Sequence, residues 1–363
     1  MTPQSRLIKA YPWIKLPLIA CGPMRMIALA KLAVEVSQAG GIGFLAGGTS
    51  TTIPDFSAQL STARSLVSSS SLASSSSEVL PIGVGFILHS GLSLSAALPI
   101  LSHHRPAAVW LFGWPDRATL SSWADGVRTA TDGTTTVWVQ VGTVAEALEA
   151  VDVCSPDVLV AQGSDAGGHG LVQSASVVAL VPEVIDAIAE HVADAAKRPI
   201  VLAAGGIADS RGVAAVLSLG AHGAVMGTRY LASTEAVLAS GYQQSVVQTK
   251  DGGLSTARTK IYDQLRGTTG WPERYNGRGI LNRSYWDALD GVDEEKNKAL
   301  YKEAEKRAGT EEEGVWGQQG RMTIYAGAGV GLVKSVKHAA QITEEVRNGV
   351  GDVLKQAKGV SRL

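Results

Sequence analysis

The chain has 363 residues, a formal charge of −1 and 45% hydrophobic residues. This excludes a non-specific nucleic-acid binder, which needs a basic face, and a mostly disordered chain. Two cysteines argue against a disulfide scaffold, no apolar run approaches the ~18 residues of a membrane span, and the remaining oddity is glycine, 41 residues or about 11% against a usual ~7%.

At the N-terminus the apolar stretch Leu16 to Cys21 is short, and Lys15, Pro12 and Pro17 interrupt what precedes it, so no secretory signal is expected. Short apolar runs then alternate with helix-like segments. Strands are predicted near 18–21, 42–45, 81–88, 107–112, 135–141, 157–161, 199–204 and 223–226, spaced about 29 residues apart. Runs such as VWLF (109–112) lack in/out alternation, as parallel strands covered on both faces do. Eight of them predict an α/β fold, a (β/α)8 TIM barrel, over a six-stranded doubly wound sheet. The serine-rich stretch 65–79 is expected to be a flexible surface loop.

Segment 251–321 differs in kind. It holds 25 charged residues among 71, against 40 among the remaining 292, and aromatics such as Trp271, Tyr275, Tyr285, Trp286 and Trp316. It is expected to be an inserted cap or lid over the barrel mouth, with 291–308 a solvated helix. Residues 1–250 and 322–363 then form the barrel, ending in an amphipathic helix over 332–354. The final Ser361-Arg362-Leu363 resembles the peroxisomal Ser-Lys-Leu address, which predicts a peroxisomal protein, or otherwise a cytoplasmic one.

The glycines gather where predicted strands end, the edge at which parallel α/β folds bind ligands. Gly205-Gly206 closes one strand and Gly227-Thr228 the next, each followed by a helix start. Two such turns in succession predict a phosphate site made of backbone N–H groups. A third cluster, AQGSDAGGHG (161–170), carries His169 beside Asp165, a proton acceptor in a glycine-rich loop at the same edge. The other histidines weighed, His103, His104, His191, His222 and His338, read as structural or solvated. No His/Cys/Asp/Glu spacing predicts a metal. Small residues at the ends of strands one, three and five (Cys21-Gly22-Pro23-Met24, Gly83 and Gly85, Gln140 to Thr143) would let a flat aromatic ligand approach the backbone.

PLIACGPM (17–24), AQGSDAGGHG, RPIVLAAGGIADSRGVAAVLSLGAHGAVMGTRYLASTEA (198–236) and YAGAGVGLV (325–333) together resemble the nitronate monooxygenases. RYNGRG (274–279) and the cap resemble the eukaryotic or fungal-type branch. The resemblance implies an FMN-dependent oxidoreductase that oxidises alkyl nitronates or nitroalkanes with O2 to a carbonyl compound and nitrite. Its partners would be that small-molecule substrate and O2, with no nucleic acid or membrane, and a homodimer is left open. Pro23 and Met24 would lie along the flavin ring, Gly83, Gly85 and Gln140 would border it, and Asp165, Ala166, Gly167 and Gly168 would contact it beside His169, the catalytic base. Gly205, Gly206, Gly227 and Thr228 would bind the FMN phosphate. Two positions depart from the pattern: Asp165 stands where many relatives have glutamate, and Cys21 where a small non-thiol residue is common. The alternatives are an NAD(P)H-dependent flavin reductase of the quinone or enoyl-thioester type, a flavin- or phosphate-binding protein without turnover, and a non-flavin sugar-phosphate barrel enzyme.

Overall fold

Residues whose side chains are apolar on both faces of an extended chain can form only buried strands, and eight such runs close into one barrel. In the computed structural model, which describes residues 1–47, 53–73, 78–309 and 314–360, the strands are β1 (Leu18–Cys21), β2 (Ile42–Ala46), β3 (Leu80–Ile87), β4 (Pro106–Phe112), β5 (Thr136–Val141), β6 (Val158–Gln162), β8 (Ile200–Ala204) and β9 (Gly223–Met226). They pair in parallel in that order, and β9 returns to β1 with Leu18 opposite Gly223. The fold is a TIM barrel, as the spacing predicts.

The barrel interior is aromatic. Phe44 lies 5.1 Å from Trp110 and 4.8 Å from Trp138, and the two tryptophans stack at 5.9 Å. The helix Pro3–Ala10 sends Leu7 into this core, and Tyr11 follows it. The Tyr11 hydroxyl accepts from Trp138 Nε1 at 2.6 Å and pairs with Thr136 Oγ1 at 2.6 Å. Burial pushes this hydroxyl far above its ordinary pKa, so it stays protonated. Tyr11→Phe orphans the buried Trp138 N–H and is expected to destabilise the protein by about 1–3 kcal/mol. Urea denaturation measures it, and an unchanged midpoint would show that the bond contributes nothing.

Three strands were not predicted. β7 (Gly168–Leu171), β10 (Thr256–Thr259) and β11 (Tyr275–Ile280) form an antiparallel sheet in the order β10-β11-β7. His169 pairs with Gly277 in it, so the residue expected on a loop sits on a strand. The serine-rich stretch also differs from expectation. Helix Ile53–Ser68 runs through Ser65 and Ser68, whose hydroxyls donate back to the carbonyls of Ser61 and Arg64. Such i−4 bonds let serine stay helical. Residues 74–77 of that stretch lie outside the described residues.

The terminal helix spans Ala339–Val360 rather than starting at 332. Residues 328–332 form a 3-10 turn, and Lys337 exchanges backbone bonds with Ala232 and Thr234. The Glu235 carboxylate then accepts the Ala339 N–H at 2.8 Å and starts the helix there. The peroxisomal-type tripeptide 361–363 lies outside the described residues.

Within 251–321, helix Glu294–Lys306 carries the ion pairs expected of a solvated helix. Deeper down, Asp287 accepts from Arg283 Nε at 2.8 Å and Arg321 Nη2 at 2.6 Å. Burial pushes its pKa up, but the two guanidinium bonds outweigh burial and hold it below the ordinary carboxylate range. The pair therefore stabilises above the ordinary carboxylate pKa and fails as pH falls through the depressed one. The melting-temperature gap between the wild type and Asp287→Asn should shrink from about pH 6 to about pH 3; a constant gap would refute the assignment.

Candidate active site at the barrel mouth

Strand ends and the turns after them meet in a cleft at the C-terminal mouth, the edge at which parallel barrels bind small molecules. Nine of the predicted contact residues line it: Pro23, Met24, Gln140, Ala166, Gly167, Gly205, Gly206, Gly227 and Thr228. Among the described residues no charged side chain does. Sequence reasoning missed Trp110, Gln162, Gly327 and Gly329, which also line it. Trp110 Nε1 donates to Gln140 Oε1 at 3.1 Å, which fixes the Gln140 amide and leaves its NH2 as the free donor.

Close backbone approach shapes one end. Gly205 and Gly206 have φ of +108° and +73°, a region that L side chains rarely adopt. The 326–329 loop lies directly on these turns: Ala328 N donates to Asp165 O and Gly327 N to Thr228 Oγ1, both at 2.9 Å. A Cβ on Gly167 would sit 2.4 Å from Gly327 N. The alternating glycines of YAGAGVG were the available signal for this contact. Gly227 is a different case. Its φ of −112° suits other residues, and a Cβ there would meet no protein atom nearer than Met24 Sδ at 4.0 Å. Protein packing does not require this glycine, and the space it leaves opens into the cleft.

One expectation needs correction. The helix after Gly205-Gly206, Ser210–Ser218, does not offer its N-terminus to a ligand. Asp209 caps it, accepting from Arg211 N at 2.9 Å and Gly212 N at 3.2 Å. The turn glycines, not the helix end, face the cleft.

Four predicted contacts lie off the cleft wall. A Cβ on Gly83 would strike the Phe44 ring at 2.2 Å, and one on Gly85 would strike Pro23 at 2.5 Å, so both glycines serve packing. Gly168 belongs to β7. The Asp165 side chain lies against the Gly206 turn, 3.1 Å from where a Cβ on Gly206 would sit, and its charge acts on the guanidiniums of Arg258 and Arg278, which are paired across β10 and β11. These donate to the carbonyl oxygens of Ser164 and Ala166. Burial, reinforced by Arg278, pulls Arg258 down to about 10. Cys21 is buried in the barrel wall, and burial pushes its thiol up, so it carries no reactive thiolate.

His169 is also absent from the wall of that cleft. It lies beside it, on the strand continuing from Ala166 and Gly167. Its ring stacks on Trp271 at 3.8 Å and 7°, with Tyr325 at 5.2 Å. Nε2 lies 3.0 Å from Asp263 Oδ1 and 2.9 Å from Oδ2. Across Trp271, at 4.3 Å, sits His89, which sequence reasoning did not weigh. Burial lowers its pKa, with His169 and Arg274 adding repulsion. Of the expected cap aromatics, Trp271 and Tyr275 reach this cluster. Tyr285 and Trp286 pack on each other, and Trp316 lies against Tyr242.

A polar-lined cleft at the carboxyl ends of a parallel barrel, flanked by a histidine–carboxylate pair, defines a small-molecule enzyme site. The nitronate monooxygenase family model matches residues 121–349. The chain is 45% identical over 356 residues to nitronate monooxygenase npaC of Metarhizium robertsii, covering 97% of this chain and 96% of that one. It is 37% identical to a nitronate monooxygenase of Neurospora crassa, covering 97% and 94%. Two solved chains share the fold at 22% identity and TM-score 0.70: FabK from Thermotoga maritima, covering 98% of each chain, and a nitroalkane oxidase from Streptomyces ansochromogenes, covering 97% and 99%. The chain is an oxidoreductase. It belongs to the nitronate monooxygenase family, in its fungal-type branch.

Proposed function

We propose that the protein oxidises alkyl nitronates, and nitroalkanes after deprotonation, with O2, giving a carbonyl compound and nitrite. The reading is carried by the uncharged, glycine-walled cleft at the barrel mouth, in a chain of this family, with His169 beside it. The cleft fits FMN. The open space at Gly227 and the left-handed Gly205-Gly206 turn would take the phosphate with Thr228. Pro23, Met24, Gln140, Ala166 and Gly167 would border the ring. When bound, the flavin supplies the redox chemistry between substrate and O2. His169 takes the α-proton of a neutral nitroalkane, and a substrate already ionised as nitronate needs no base. Segment 251–321 acts as the lid, its sheet and Trp271 excluding water from His169. A yellow purified protein that releases FMN on denaturation and forms nitrite from nitronate supports the proposal. A colourless protein, or one that releases another flavin, would refute the cofactor assignment.

A further inference from the structure

The base proposed above is only half supplied by the barrel. Its partner carboxylate comes from the lid segment, 94 residues further along the chain. Asp263 lies in the first turn of the helix Ile261–Arg266, and its side chain is 6% exposed, against 13% for His169. Two further donors hold the carboxylate: Thr268 Oγ1 at 2.8 Å and the Tyr325 hydroxyl at 3.2 Å, both to Oδ1. Burial, with Asp263 next, pushes the Tyr325 pKa far up, so that hydroxyl remains a donor.

The geometry decides the tautomer. An ionised carboxylate only accepts, so the Nε2 facing both Asp263 oxygens carries the proton. Nδ1 has no hydrogen-bond partner among the described residues, nor is it one of the buried unpartnered atoms. It is therefore not sealed from solvent. The His89 Nδ1 across Trp271, by contrast, is buried without a partner, so it has no such access.

We propose that Asp263 is the positioning residue of the base: it fixes His169 as the Nε2–H tautomer, makes Nδ1 the proton-accepting atom, and stabilises the imidazolium. The proposal rests on the reading of His169 as base. In the step, the α-C–H bond of the nitroalkane breaks and a bond from Nδ1 to that hydrogen forms. The C–H electron pair moves onto the nitro group, giving the nitronate, and nothing is oxidised or reduced. The positive charge left on the ring lies 2.9 Å from the Asp263 carboxylate. The lid then does more than cover the site, because the base is complete only when helix Ile261–Arg266 is in place.

The test combines kinetics with imidazole 15N NMR on the flavin-loaded, full-length protein. In the wild type the neutral His169 ring should show a protonated Nε2 and a bare Nδ1; the reverse tautomer overturns the proposal and needs no variant. Asp263→Asn should lower kcat/KM for a neutral nitroalkane by about 10–100-fold and leave turnover of preformed nitronate within about threefold, short of the full ~10²–10⁴-fold of a lost base. Asp263→Glu, which keeps the charge, should recover part of the loss. An Asp263→Asn enzyme with wild-type nitroalkane turnover, or one that loses both substrates alike with flavin retained, overturns the role of Asp263. His169→Asn separates the two readings. If it keeps nitroalkane turnover, or loses both substrates equally, the base itself is wrong; if it loses nitroalkane alone while Asp263→Asn does not, only the positioning role fails.

Discussion

Replacing His169 with asparagine is expected to lower kcat/KM for a neutral nitroalkane by about 10²–10⁴-fold, the usual contribution of a positioned general base. The same variant should oxidise preformed nitronate at close to the wild-type rate. The asymmetry follows from where the proton is. A nitroalkane must lose its α-proton before oxidation, and His169 is the accessible histidine at the mouth, with Nδ1 open and Nε2 held by Asp263. A nitronate has already lost it. Asparagine retains polarity and much of the ring's footprint against Trp271 and Gly277 but cannot accept a proton at neutral pH. Parallel assays of nitrite release from the two substrate forms check this. Equal losses on both would mean that His169 serves binding or packing instead.

The second large effect is at Gly227. Gly227→Leu is expected to fold with a melting temperature within a few degrees of wild type and to lose FMN affinity by at least about 100-fold, because side-chain volume enters the space reserved for the ligand. The contrast with other glycines makes this specific. At Gly43, a Cβ would sit 2.1 Å from Ala33 O, and at Gly167 it would collide with the 326–329 loop; substitution there harms the fold itself. A Cβ at Gly227 meets nothing beyond its chain neighbours within 4 Å save Met24 Sδ at that limit. Fluorescence titration of the flavin-free variant with FMN measures the loss. Wild-type affinity would move the phosphate elsewhere.

The barrel was readable because its signal is local. A strand covered on both faces must be apolar throughout, so the eight runs from LIAC to GAVM announce themselves, and their order follows from the even spacing. The antiparallel sheet β10-β11-β7 has no such signature. GHGL, TART and YNGRGI are small, polar or charged, and β7 pairs with a strand more than 100 positions away. The site divides in the same way. The turns that line the cleft lie where strand ends predict them, since glycine beside a strand end is a short-range pattern. Glycines with another purpose produce the same pattern: Gly83 makes room for Phe44 and Gly85 for Pro23. Asp209, directly before its helix, carried a readable capping signal that identifies that N-terminus as already satisfied. Asp263, Trp271 and His89 reach His169 only through tertiary folding, and no spacing along the chain connects them.

The central claim, that this cleft oxidises nitronates with O2, is tested most directly by following O2 uptake and nitrite release on mixing the purified, flavin-loaded protein with an alkyl nitronate, with anaerobic NADH and NADPH as the comparison. The account predicts O2 consumption and nitrite formation with the nitronate, and no bleaching of the flavin absorbance by either nicotinamide. Rapid bleaching by NADH or NADPH, without nitrite from nitronate, would contradict it and assign the scaffold to a reductase.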